Sequence, residues 1–237
     1  MAVDAVRVVR FGATERNLHT IHALAFVVMF LTGIVLFVPA IAQIFANRPL
    51  TTAIHLVAAA AWLTALALVP ILGDRAALRR TRRELERFDD DDLRWLRRRS
   101  PAPQGRFNAG QKAHALVQAA LALLFTVSGT LLWLGERNTE LRLPGTIALH
   151  DASMVLAGAL VAGHIWIAIS PGKLPALQGI LRGTVPADWA AEHHPKWRAR
   201  DVATQPPRPG PARITAAAIV SAAGLLVIAA ICGLVFT

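Results

Sequence analysis

The sequence predicts an all-α integral membrane protein, a four-helix transmembrane bundle with a fifth transmembrane helix at the C-terminal side. Three observations lead there. The chain has 237 residues, 54% hydrophobic and only 17% charged, with a mean hydropathy of +0.46. A soluble domain carries about a quarter charged residues, so this balance points to a lipid solvent. Five apolar runs span roughly 18–45, 52–73, 113–134, 146–170 and 214–236. Finally, the basic residues crowd into three of the polar connections.

Each run is read as a helix because a backbone in hydrocarbon must satisfy its own polar groups. Each is long enough, at ~1.5 Å per residue, to cross a core of ~30 Å. A soluble bundle of buried helices would need polar faces, and these runs have almost none. Pro39 and Pro70 sit toward the ends of the first two runs, where a kink costs least. The fifth run has no charge and no histidine. It follows Pro206-Pro207-Arg208-Pro209-Gly210-Pro211, a stiff extended linker. The expected division is a four-helix domain over 1–200, a Pro-rich linker over 201–212 and a lone added helix over 213–237.

Orientation follows from Lys and Arg in the connections. Residues 1–17 hold Arg7, Arg10 and Arg16; the stretch 74–112 holds twelve, including Arg97-Arg98-Arg99; the stretch 171–213 holds seven. The opposite side receives only Arg48, Arg137 and Arg142. Twenty-two against three puts the N-terminus in the cytoplasm of a multi-pass cell-membrane protein. The net charge of +10 is thus a topology signal rather than a nucleic-acid footprint.

The stretch 74–112 is the longest polar connection, and its Leu78, Leu85, Leu93 and Trp95 suit a short helix on the membrane surface. Asp89 to Asp92 read as a solvated turn or helix cap, with a metal site as the lesser alternative. Cys232, the one cysteine, lies in an apolar run, so no disulfide, CxxC or zinc-finger pattern is possible. No cleavable signal peptide is visible, because residues 1–18 are polar and the first apolar run is too long.

The histidines carry the chemistry. Of the eight, His193 and His194 fall in the cytoplasmic tail, and His19, His22, His55, His114, His150 and His164 fall in or at the ends of spans. A titratable side chain at membrane depth points to function. A histidine bonded to a neighbouring helix is the bland alternative. His150 and His164 are fourteen residues apart on one helix, which returns them to within about 40° of the same face with an offset of about 21 Å. His19 opens the first span level with His164, and His55 opens the second level with His150. Topology therefore sorts four histidines into two pairs, each suited to a bis-histidine b-type haem. Gly33, Gly129, Gly158 and Gly163 could admit a flat macrocycle or serve ordinary packing. His22 competes with His19, one turn deeper. His114 is a supporting or quinone-site residue.

Two short motifs add a resemblance. Arg106-Phe107-Asn108-Ala109-Gly110-Gln111-Lys112 is similar to the NAGQK signature of respiratory formate dehydrogenase gamma subunits, the dihaem cytochrome b membrane anchors. His193-His194-Pro195-Lys196-Trp197 resembles the tail motif of the same family. The Leu31-Thr32-Gly33 turn and the spacing of the four histidines also fit. The resemblance covers about residues 6–200. It implies His55 and His150 as iron ligands of an outer haem b, and His19 and His164 as ligands of an inner one. It implies a menaquinone site beside the inner haem, built from Asn108, Gly110 and the surroundings of His164, with Gln111 nearby. Without the resemblance, Asn108 to Lys112 reads as a helix start with Asn108 as N-cap. Two features depart from the family: the fifth span, and Phe107 where tyrosine is frequent.

The implied role is the cytochrome b subunit of a membrane-bound formate dehydrogenase, an electron-transfer subunit with no formate-oxidising centre of its own. Its partners would be an iron–sulfur subunit, a molybdenum- or tungsten-dependent catalytic subunit, quinone and membrane lipid, with no nucleic acid. The alternatives are the cytochrome b subunit of a hydrogenase or another molybdoenzyme, and a haem-free anchor or transporter.

Overall fold

The computed structural model describes residues 6–45, 47–97, 102–198 and 208–236. The five long helices are α1 (Ala13–Phe37), α3 (Arg48–Leu72), α6 (Ala109–Gly135), α7 (Thr146–Ile169) and α10 (Pro211–Phe236). Between them lie α2 (Pro39–Phe45), α4 (Arg75–Glu86), α5 (Asp90–Leu96), a 3-10 turn (Thr139–Leu141), α8 (Leu174–Arg182) and α9 (Ala187–His193). Two short strands, β1 (Arg7–Val9) and β2 (Thr184–Pro186), form a two-stranded sheet. All five long helices have the length and composition to cross a membrane. Large apolar side chains stay exposed along them, Leu31, Leu63, Leu123, Val155 and Leu226 among them. That is the distribution a lipid-facing surface requires.

Helix boundaries follow local chemistry. The first apolar run is not one helix: Val38 takes extended backbone (φ −99°, ψ 106°) ahead of Pro39, ending α1 and starting α2. The helix α3 starts earlier than apolarity alone suggests, because Asn47 accepts from the Leu50 N–H at 3.0 Å and Pro49 fits the first turn. Leu31, Thr32 and Gly33 lie inside α1 rather than in a turn. The expected linker 201–212 falls largely outside the described residues, as do Arg98 and Arg99.

The chain divides into two units, one of residues 9–80, 179–184 and 208–236, the other of residues 6–8, 81–178 and 185–198. In the first, α3 packs against both α1 and α10. A β-carbon on Gly73 would meet Thr14 Cγ2 at 2.5 Å, so the end of α3 sits against the start of α1. The Asp74 N–H donates to Thr14 Oγ1 at 2.9 Å. The added helix α10 does not stand alone. Arg213, in its first turn, donates to the carbonyls of Ile71 (2.5 Å) and Gly73 (2.6 Å). These are terminal carbonyls without helical donors, and a cation there also opposes the helix dipole. Gly224 meets Thr64 of α3 so closely that a β-carbon would come within 2.7 Å of Thr64 Cγ2.

In the second unit, α6 packs antiparallel to α7, and α5 packs on the start of α6. The aspartate turn proves to be an ionic hub. Asp89 caps α5 through the Asp92 N–H at 2.9 Å, as expected of a cap. However, Asp92 is only 2% exposed and pairs with Lys112 at 2.5 Å, which contradicts a solvated turn. Lys196, from the tail motif, pairs with both Asp89 (2.8 Å) and Asp91. Arg106, also buried, donates to Glu84 and Thr81, both at 2.6 Å. Those salt bridges hold Asp89 down to about 2, chiefly through the Lys196 hydrogen bond, and lower Asp91 by the same partner. Burial pulls Lys196 down, but its bonds to Asp89 and Asp91 outweigh this and raise it.

Candidate functional site

His55 and His150 share one local design. On α1, the Thr32 hydroxyl donates to the Val28 carbonyl at 2.7 Å, with the Met29 carbonyl at 3.1 Å, and its oxygen lies 2.8 Å from His55 Nδ1. On α6, the Ser128 hydroxyl donates to the Leu124 carbonyl at 2.7 Å, and its oxygen lies 2.8 Å from His150 Nδ1. A hydroxyl has one proton, and helical Ser and Thr direct it to the carbonyl a turn back. With its hydrogen so engaged, each oxygen is placed to accept from the imidazole, an arrangement that suits a ring proton on Nδ1 and a lone pair on Nε2. This is the tautomer a histidine needs to ligate iron through Nε2.

His22 has the opposite arrangement. The indole N–H of buried Trp62 donates to His22 Nδ1 at 3.2 Å, with the rings tilted at 5.7 Å. Its Nδ1 is an acceptor, so the neutral ring carries its proton on Nε2 and presents no lone pair there. His19, one turn earlier on α1, is exposed.

At the other end of α7, the rings of His164 and His114 stack face to face, 4.9 Å apart and 10° from parallel. His114 thus lies flat against the ring of His164. Gly163 has open space where a β-carbon would stand, and Gly129 lies 3.5 Å from His150 Cε1 by the same measure. The donor set therefore fits haem: imidazoles at helix positions, two of them with Nδ1 held by a hydroxyl oxygen, with glycine beside His150 and next to His164 in sequence. Of the four sequence-predicted ligands, His19 and His55 belong to the first unit and His150 and His164 to the second.

The residues assigned to quinone all stand at the start of α6. Asn108 accepts from the Gln111 N–H at 2.8 Å, and Gln111 accepts from the Asn108 N–H at 3.0 Å, a reciprocal capping box. Gly110 faces Trp95 of α5, whose ring a β-carbon would approach to 3.0 Å. The flat ring that Gly110 admits in this structure is therefore an indole. The tail motif closes the same end. His194 is buried, with Nδ1 2.6 Å from the Gly105 carbonyl, and Lys196 N–H donates to the Gln104 carbonyl. Beside it, an open pocket of about 230 Å³ is lined by Val8, Ala190, His194 and Trp197, among others.

Sequence reasoning missed the histidine contacts of Thr32, Ser128 and Trp62. The available signal was a hydroxyl or indole placed to face a span histidine, but the helix pairing needed to read it is not written locally.

The chain is similar to the formate dehydrogenase cytochrome b556 subunit of Haemophilus influenzae, 28% identical over 128 residues, covering 48% of this chain and 52% of that protein. It is similar to the formate dehydrogenase cytochrome b556(fdo) subunit of Escherichia coli, 29% identical over 97 residues, covering 39% of this chain and 44% of that one. The chain spans about half the length of the curated relatives it matches. With residues 10–183 matching its family model and five helices long and apolar enough to cross a membrane, the chain belongs to the prokaryotic cytochrome b561 family of multi-pass membrane proteins.

Proposed function

We propose that this chain is the cytochrome b subunit of a membrane-bound formate dehydrogenase. It takes electrons from an iron–sulfur partner at the outer face and passes them through two b haems to menaquinone on the cytoplasmic side. His55 and His150 hold the outer haem; His19 and His164 hold the inner one. The catalytic subunit, dependent on molybdenum or tungsten, lies outside the membrane, and the N-terminus is cytoplasmic. The observation that carries the reading is the repeated hydroxyl contact, 2.8 Å from Thr32 Oγ1 to His55 Nδ1 and from Ser128 Oγ to His150 Nδ1; the likeness to formate dehydrogenase subunits supports the choice of donor. Asn108 donates through its amide nitrogen to a quinone oxygen, and cytoplasmic water supplies protons at the α6 mouth. Moving electrons inward and taking protons from inside stores about 2.3 kcal/mol per charge at 100 mV.

The test is haem content. Protein purified from native membranes should hold two low-spin b haems per chain. His55→Ala and His150→Ala should each remove one haem, His19→Ala and His164→Ala the other, while His22→Ala and His114→Ala keep both. A haem content near zero, or loss of the inner haem in His22→Ala but not in His19→Ala, overturns the assignment. A copurifying catalytic subunit that oxidises hydrogen would replace the donor and leave the haems.

A further inference from the structure

We infer that Thr32 and Ser128 are positioning residues, each holding Nδ1 of the ligand histidine beside it, His55 and His150 respectively, and so tuning the haem that histidine serves. The inference rests on the reading of His55 and His150 as haem ligands. The carrying observation is a repetition. Two hydroxyls on different helices, α1 and α6, each direct their hydrogen to the carbonyl four residues back, at 2.7 Å in both cases. Each presents its oxygen to a histidine Nδ1, at 2.8 Å in both cases. Such hydroxyls commonly bond only their own helix and face lipid or packing. Here the same two-bond chain ends on a histidine in each unit, and on the same ring nitrogen.

The consequence is electronic as well as geometric. An Nδ1–H that donates to oxygen pushes density into the ring and strengthens Nε2 as a donor. A stronger donor favours ferric over ferrous iron, so each hydroxyl holds the potential of that haem down. It also holds the ring plane, because the bond to a helix-fixed oxygen restricts rotation about χ2. His22 makes the contrast, since its Nδ1 accepts from Trp62 and the ring is locked in the other tautomer. His55 and His150 on one hand and His22 on the other thus sit in two hydrogen-bonding patterns set by their neighbours, a hydroxyl oxygen or an indole N–H at Nδ1.

The experiment uses the full chain purified with its haem. Thr32→Val keeps the shape and removes the oxygen; Ser128→Ala removes one oxygen and remains informative should the valine variant not fold. Each should keep both haems and move one of them positive, by roughly a tenfold change in its ferric-to-ferrous ratio, ~59 mV for one electron. The other haem should not move. Thr32→Ser and Ser128→Thr, which restore the hydroxyl, should return the potential. Folded variants with both potentials unchanged would overturn the inference and leave the hydroxyls as helix back-bonders. Retention of both haems in His55→Ala and His150→Ala would instead overturn the ligand reading beneath it.

Discussion

The ammonium of Lys112 lies 2.5 Å from Asp92 Oδ2, and both side chains are almost wholly out of water, 10% and 3% exposed. Lys112 also donates to the Arg87 carbonyl at 3.0 Å, and Phe88 lies 5.6 Å below its ammonium. The pair joins the first turn of α6 to α5, so the motif that opens α6 is bound to the aspartate turn from within the same unit.

Removing one partner of a buried pair leaves the other charge stranded, and that is the costly change. Lys112→Met should destabilise the protein by about 3 kcal/mol or more. Lys112→Met with Asp92→Leu should recover much of the loss, since two apolar residues leave no buried charge. Thermal unfolding in detergent, followed by loss of helical signal, measures both. A double variant no more stable than the single one would show that the pair is not the cause.

The tail is held by salt bridges with a defined pH window. Asp89 falls from an ordinary 3.8 to about 2 in the folded protein, with Asp91 lowered as well. A depressed carboxylate stabilises the fold above its unfolded value and loses that contribution as pH drops through the folded value. Lys196 is raised, so its contribution is present below its ordinary 10.5 and fades above it. Protection from hydrogen exchange over residues 190–198, relative to an unstructured amide at the same pH, should therefore stay high across neutral pH and fall as pH drops from about 3.8 toward about 2. Lys196→Met should show fast exchange at neutral pH. Equal protection in both proteins at every pH would refute the tail clamp.

Asn108 has two separable duties. As a cap it should contribute about 1 kcal/mol to stability, lost in Asn108→Ala. As a donor to quinone it should contribute about 1–2 kcal/mol, a roughly tenfold slowing of haem reoxidation by a menaquinone analogue. Asn108→Asp keeps the accepting oxygen that caps α6 and removes the amide donor. It should fold like the parent and still reoxidise slowly. Parental reoxidation in Asn108→Asp would move the quinone elsewhere.

The spans were legible because lipid imposes a requirement that any twenty-residue window either meets or fails. The histidines were legible because nothing in hydrocarbon tolerates them cheaply. What escaped was held by distance in sequence. Asp92 finds Lys112 twenty residues on, and Asp89 finds Lys196 after 107, so the turn looked solvated when read locally. Thr32 and Ser128 were invisible for another reason. A hydroxyl in a membrane helix is ordinary, and only helix pairing shows that these two face His55 and His150. The break at Val38 was half legible, since Pro39 announced a kink and the structure made it the end of a helix.

Arg213 donates to carbonyls 142 and 140 positions earlier in the chain. Synthesis proceeds from the N-terminus, so α3 enters the bilayer long before its last carbonyls meet these donors. Until α10 emerges from the ribosome, water or a chaperoning insertase must satisfy them. Biogenesis of this unit thus waits for α10, and a ribosome stalled within α10 would display an α3 inserted but not sealed at its end.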